Sequence, residues 1–164
     1  MAEQHRNRWL GAVAGAAGGA AGLLLLGKVS QWLYALEPED VRKREERLRP
    51  ELPFEVLARR VGQGLLQKDL SSEQLKRLSS AMHWGYGIGL AAAYGALAPR
   101  HKFRGGLAFG ASVWLLGDEL MTTVMGLSAP PREFPWQNHV RALASHVCYG
   151  AAVGGVTAII RRAA

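Results

Sequence analysis

The sequence is poor in the residues that usually run chemistry. It contains one cysteine, Cys148, so an intrachain disulfide is excluded. No H-E-x-x-H, P-loop, nucleophile elbow or dinucleotide fingerprint occurs, and the glycines lie inside apolar stretches, not after strands. Neither an enzyme nor a bound cofactor is expected. Aromatic residues make up 8% of the chain and are not interleaved with a basic cluster, which speaks against a nucleic-acid partner despite a formal net charge of +7. Charge is also missing from long parts of the chain, and those parts define it.

Twenty glycines, mostly beside alanines, concentrate in four apolar blocks. Residues 105–127 form the most informative block, GGLAFGASVWLLGDELMTTVMGL, broken only by the adjacent carboxylates Asp118 and Glu119. A helix of roughly 20 apolar residues spans a bilayer. A carboxylate within it costs about 2.5 to 3.5 kcal/mol on insertion scales and therefore faces protein and a partner. The other blocks cover about 9–36, 78–98 and 140–160. The expectation is an all-α fold, a polytopic membrane four-helix bundle making a single domain over 1–164, with the lipid bilayer as its first partner.

The charges gather in the excursion at 37–77, which is close to electrically neutral. Pro50 and Pro53 break it. From Phe54 to Leu66, apolar positions 54, 57, 61 and 65 recur at helical spacing, with Arg59, Arg60 and Gln63 opposite, predicting an amphipathic helix on the membrane surface or capping the bundle. Ser71 and Gln74 form a capping box, so the second long helix starts there and runs to Pro99. The basic link Arg100 to Arg104 is short, making the second and third spans antiparallel neighbours. SAPPREFPW, residues 128–136, is a proline-rich turn, with Trp136 as an interfacial anchor.

G-x-x-x-G spacings at Gly11, Gly15 and Gly19, and at Gly18 and Gly22, leave a smooth face for a neighbouring helix. Gly87, Gly150 and Gly154 are assigned the same packing role, and self-association is left open. Counting 1.5 Å per residue from the loop side places Lys28, His83, Glu119 and His146 at roughly 6 to 12 Å depth. The segments His83-Trp-Gly-Tyr86-Gly87 and His146-Val-Cys-Tyr149-Gly150 share the pattern H-x-x-Y-G, which puts His and Tyr on one face.

A polar intramembrane cluster of Lys28, His83, Tyr86, Asp118, Glu119, His146 and Tyr149 is therefore expected. Both carboxylates face protein only if the third span is central. Three readings of the cluster stand: interhelical hydrogen-bonding that is chiefly structural and pH-responsive, a proton or small-ion relay, and metal binding by His83, Asp118, Glu119 and His146. No close-spaced ligand motif supports the last.

The Gly-rich first helix ending in Lys28 and Trp32, His83, Met125-Gly126-Leu127 with Pro130-Pro131, Pro135-Trp136 and His146 together resemble the YagU-like family of bacterial inner-membrane proteins. The resemblance implies a multi-pass inner-membrane protein without an established activity or substrate. It also favours cytoplasmic termini, a point on which the basic residues flanking the spans are divided.

Overall fold

The structure is a computed structural model that describes residues 2–65, 67–97 and 103–163, with the side chains of 2–4 and 103 excepted. Leu66, Pro99 and the link through Lys102 lie outside the described residues. Every regular element described is helical: α1 (Ala2–Leu36), α2 (Glu39–Leu48), α3 (Pro53–Gly64), α4 (Ser72–Leu97), α5 (Phe103–Val113), α6 (Thr122–Val124) and α7 (Trp136–Ala163). Between α5 and α6 the chain winds as a π-helix over Trp114–Met121. A 3-10 turn, Pro131–Glu133, precedes α7.

Among the described residues two helices, over His5–Leu36 and Trp136–Ala163, are long and apolar enough to cross a membrane. α4 does not reach the same measure; it carries Glu73, Lys76 and Arg77 in its first turns and Ser79, Ser80, His83 and two tyrosines further on. The third block is divided among α5, the π segment and α6. Length and composition thus mark two of the four expected spans.

α1 and α7 form the middle of the bundle: α1 lies against both α4 and α7, and α5 packs on α7. Glycine decides these neighbours because it lets backbones touch. A Cβ placed at Gly11 or Gly15 would stand 2.2 Å from the carbonyl oxygen of Gly95 or Ala91 on α4, and one at Gly110 would stand 2.0 Å from that of His146 on α7. Gly19 meets Ala91 and Ile88, Gly18 meets Val153, and Gly22 meets Tyr149. Gly87 receives Leu23, and Gly150 and Gly154 face Gly106.

This arrangement differs from a bundle with a central third span. α4 and α5 touch chiefly through stacked Tyr94 and Phe109, whose centroids are 4.6 Å apart, and α5 finds its backbone partner in α7 instead.

The interior is built of small residues around a few larger ones. Leu23, Ala91, Tyr149 and Val153 form the buried cluster, with Ile88, Tyr94, Phe109 and Val113 packed against it. Large apolar side chains point outward, including Trp9, Leu24, Trp32, Leu115, Leu116, Leu120 and Ile159.

The excursion folds over one end of the bundle. α3 packs on α4, and arginines fasten the excursion to the turn after α6. Arg60 donates from both terminal nitrogens, to the carbonyls of Met125 at 2.5 Å and Gly126 at 2.7 Å. A guanidinium there meets the negative end of a helix dipole. Arg44 donates to the Glu133 carbonyl at 3.0 Å, and the Arg49 guanidinium lies over the buried ring of Phe134 at 4.7 Å.

Candidate functional site

α7 carries a polar ladder at the end covered by the excursion. Asn138, Arg141, Ser145 and Tyr149 recur every three or four residues and are all buried. Arg141 is the anchor. Its Nη1 donates to both oxygens of Glu37 at 2.7 Å, and its Nη2 donates to both oxygens of Glu45 at 2.6 Å. Asn138 donates to Glu45 Oε1 at 2.8 Å, and the Tyr34 ring lies 4.9 Å below the guanidinium. Burial pushes the Glu37 carboxyl above the usual carboxylate range, while Arg141 pulls it back. Further along the ladder, Ser145 Oγ donates to the Arg141 carbonyl at 2.7 Å, and the Tyr149 hydroxyl donates to the Gly87 carbonyl of α4 at 2.6 Å.

A second group flanks this ladder, between α7 and the π segment. His139 Nδ1 lies 2.6 Å from Glu119 Oε1, and its Nε2 lies 3.0 Å from the Pro131 carbonyl. Seven residues on, His146 Nδ1 lies 2.9 Å from the Ala142 carbonyl and its Nε2 3.7 Å from Asp118 Oδ2. Each imidazole therefore stands between a backbone carbonyl and a carboxylate. A carbonyl only accepts, so the nitrogen facing it carries a proton. The bond from His139 to Glu119 then needs one further proton, on the imidazole or on the carboxyl. If that proton leaves, the remaining one satisfies Glu119 or Pro131, but not both.

The π-helix explains how two adjacent carboxylates reach the same helix. In α-helical geometry Glu119 is turned by about 100° from Asp118, so one of the two faces away from α7. Here the Thr122 N–H bonds to the Gly117 carbonyl, five residues back, and the wider winding lets both carboxylates address α7 from a helix that is not central. The hydroxyls of Thr122 and Thr123 bond to the Asp118 and Glu119 carbonyls in turn, tying the segment from within. Glu119 is enclosed at 16% side-chain exposure, whereas Asp118 is 48% exposed.

The expected cluster is therefore only partly assembled. Asp118, Glu119, His146 and Tyr149 lie where α7 meets its neighbours. His83 stacks against Phe54 of α3 at 5.3 Å, and Tyr86 leans on the same ring at 5.8 Å. The Tyr86 hydroxyl also comes within 3.1 Å of where a Cβ would stand at Gly117. Lys28 does not join: it is exposed on the outer side of α1, with no ion pair or hydrogen bond to the described residues. Equal depth placed it in the layer, but its helical face turns it away. Among the described residues, no three or more His, Cys, Asp or Glu side chains converge to hold a metal ion, so His83, Asp118, Glu119 and His146 do not form a ligand set.

Sequence reasoning missed two residues. His139 was hidden by beginning the fourth block at residue 140, although its spacing of seven from His146 puts both on one face. Arg141 is the other. Its signal is an arginine at the start of an apolar block, in a chain with a group of acids at 37–46.

Among the described residues the regular structure is all helical, with two helices long and apolar enough to cross a membrane and a polar seam along one of them. No protein-family model, curated protein or solved structure gives a significant match to this chain.

Proposed function

We propose that this chain is a four-span membrane protein of the bacterial inner membrane, with cytoplasmic termini, whose imidazole–carboxylate seam makes the packing of its third and fourth spans respond to pH. Membrane residence is supported by the distribution of side chains. Small and polar groups fill the interior while Trp, Leu and Ile face outward, the reverse of what water selects. Trp9 and Trp32 on α1 are 72% and 64% exposed and about 34 Å apart along the helix, a spacing suited to aromatic anchors at the two interfaces of one bilayer. The YagU-like resemblance points to the same compartment.

The pH response rests on one observation, the His139 imidazole held between Glu119 and the Pro131 carbonyl. With two protons shared between His139 and Glu119 both bonds stand; with one proton fewer one bond is lost, and the seam between the π segment and α7 loosens. Imidazole is the side chain suited to exchanging that proton within the physiological range. The test is thermal unfolding of the purified protein in detergent from pH 5 to 8. Stability falls with rising pH in the wild type, and the slope flattens in Glu119→Gln. A wild-type profile that is flat or rises across this interval refutes the reading.

A second reading, a small proton pathway, is favoured by Asp118, which stays half exposed while facing His146. It predicts proton flux in proteoliposomes that Asp118→Asn abolishes while the melting temperature holds. Absence of wild-type flux under an imposed pH gradient ends it.

A further inference from the structure

The outward face of α4 differs from the leucine- and tryptophan-rich surfaces of α1 and the third span. Near its start, Lys76, Arg77, Ser80, Ala81 and Trp84 line an open groove of about 430 Å³. Its two cations are available to a ligand. Lys76 makes no ion pair with the described residues, and Arg77 is engaged only by Glu73 on its own helix, at 2.9 Å, with side-chain exposures of 78% and 68%. A pair so exposed is screened by solvent and yields readily to another anion. Ser80 adds a hydroxyl, and the 36% exposed Trp84 adds an amphipathic ring with an N–H donor.

Where the groove ends, the helix surface becomes bare. Ala81, Gly85, Gly89 and Ala93 recur every four residues on one face, and all are exposed. Nothing lies within 4 Å of where a Cβ would stand at Gly85 or Gly89, whereas Gly11, Gly15, Gly18, Gly19, Gly22, Gly87 and Gly95 all meet a neighbouring helix there. From Ala81 to Ala93 the trough runs about 18 Å along the helix. Its basic end lies where the apolar part of α4 begins, at the depth of headgroups in a membrane-spanning α4.

We propose that this face of α4 binds one anionic glycerophospholipid. Its phosphate diester sits between the Lys76 ammonium, the Arg77 guanidinium and the Ser80 hydroxyl. The Trp84 indole lies against the glycerol region, and an acyl chain follows the trough past Gly85 and Gly89. Charge selects the headgroup; the missing side chains admit the chain. The basic residues of α2, Lys43 and Arg47, adjoin no such trough.

The inference rests on the membrane reading, and the experiment separates the two. Protein recovered from cells in the aqueous fraction without detergent refutes the membrane reading itself. Protein extracted from membranes is delipidated and examined by native mass spectrometry with added phosphatidylglycerol or phosphatidylcholine. The wild type is expected to retain one phosphatidylglycerol at a lipid concentration at least about tenfold lower than it needs for phosphatidylcholine, the counterpart of about 1.4 kcal/mol. Lys76→Gln with Arg77→Gln removes that preference, while Lys43→Gln keeps it. Gly85→Leu with Gly89→Leu weakens retention of both lipids at an unchanged or higher melting temperature, because nothing in the protein obstructs the new side chains. Equal retention of the two lipids by the wild type overturns the proposal, as does an undiminished preference in the Lys76/Arg77 variant. Complete displacement of phosphatidylglycerol by millimolar inorganic phosphate also overturns it, by showing a site for free phosphate.

Discussion

α7 is held to its surroundings in two ways, by groups that differ in whether their charge can be switched off. At Arg141, a permanent cation is chelated by two carboxylates from the stretch that follows α1. At His139, two residues before it, and His146, five after it, imidazole rings face carboxylates. Arg141 is 7% exposed and its geometry is bidentate on both sides. The imidazole contacts are single, and one of them is 3.7 Å long. The contrast separates a constitutive clamp from an adjustable seam on the same helix.

The largest effect is expected from breaking the clamp. Arg141→Ala leaves Glu37 and Glu45 facing each other in a buried place and costs about 3 to 5 kcal/mol. Thermal unfolding in detergent reads the loss, and it should be present throughout pH 5 to 8. Arg141→Lys sharpens the point, because a lysine keeps the charge but cannot chelate two carboxylates with a planar fork. A lysine variant as stable as the wild type shows that charge alone is sufficient there.

The seam is the next largest contributor. Glu119→Gln removes a charge-assisted hydrogen bond worth about 1.5 to 3 kcal/mol. On the pH-responsive reading proposed above, its cost should be larger near pH 5 than near pH 8. A cost independent of pH makes the seam a second constitutive clamp and removes the contrast.

Within the clamp, the two acids are not equivalent. The Glu37 carboxyl is pushed up by burial. A carboxyl whose folded pKa exceeds its unfolded value contributes stability below the unfolded value of 4.5 and loses it as the pH rises through the folded one. Glu37→Gln should therefore change stability by only about 1 kcal/mol, since Glu45 still chelates Arg141 and a glutamine oxygen still accepts. The variant should gain on the wild type as the pH rises from about 4 to 7. Matched melting curves for the two proteins across that interval check the sign, and a steady relative loss contradicts it.

What was legible in the sequence depended on distance along the chain. The start of α4 was, because its signal is local: the Ser71 N–H bonds to the Gln74 side chain at 2.9 Å, and the Gln74 N–H returns to Ser71 Oγ at 3.3 Å. The amphipathic helix expected from Phe54 was also legible and is observed over Pro53–Gly64, since its apolar positions repeat within one element. Arg141 and its acids were not, because 104 residues separate it from Glu37 and no periodicity connects an excursion to a later span. The expectation that both Asp118 and Glu119 face protein only from a central third span failed for a different reason. Helical-face reasoning assumes 3.6 residues per turn, and the winding changes where those two carboxylates lie.

Lys28 tests the limit of that reasoning with the smallest expected effect. It shares the depth of the seam but lies on the exposed side of α1, one turn from the outward-facing Trp32. On the membrane reading proposed above, a lysine in this position extends its stem along the helix toward the interface assigned to Trp32. Lys28→Ala should consequently shift stability by no more than about 0.5 kcal/mol and leave the pH dependence of unfolding unchanged. Lys28→Glu should be tolerated less well, because the shorter acid reaches the interface with more difficulty. A large, pH-dependent loss in Lys28→Ala brings the lysine into the seam after all. In that case, common depth is a better guide to polar partners in this bundle than helical face.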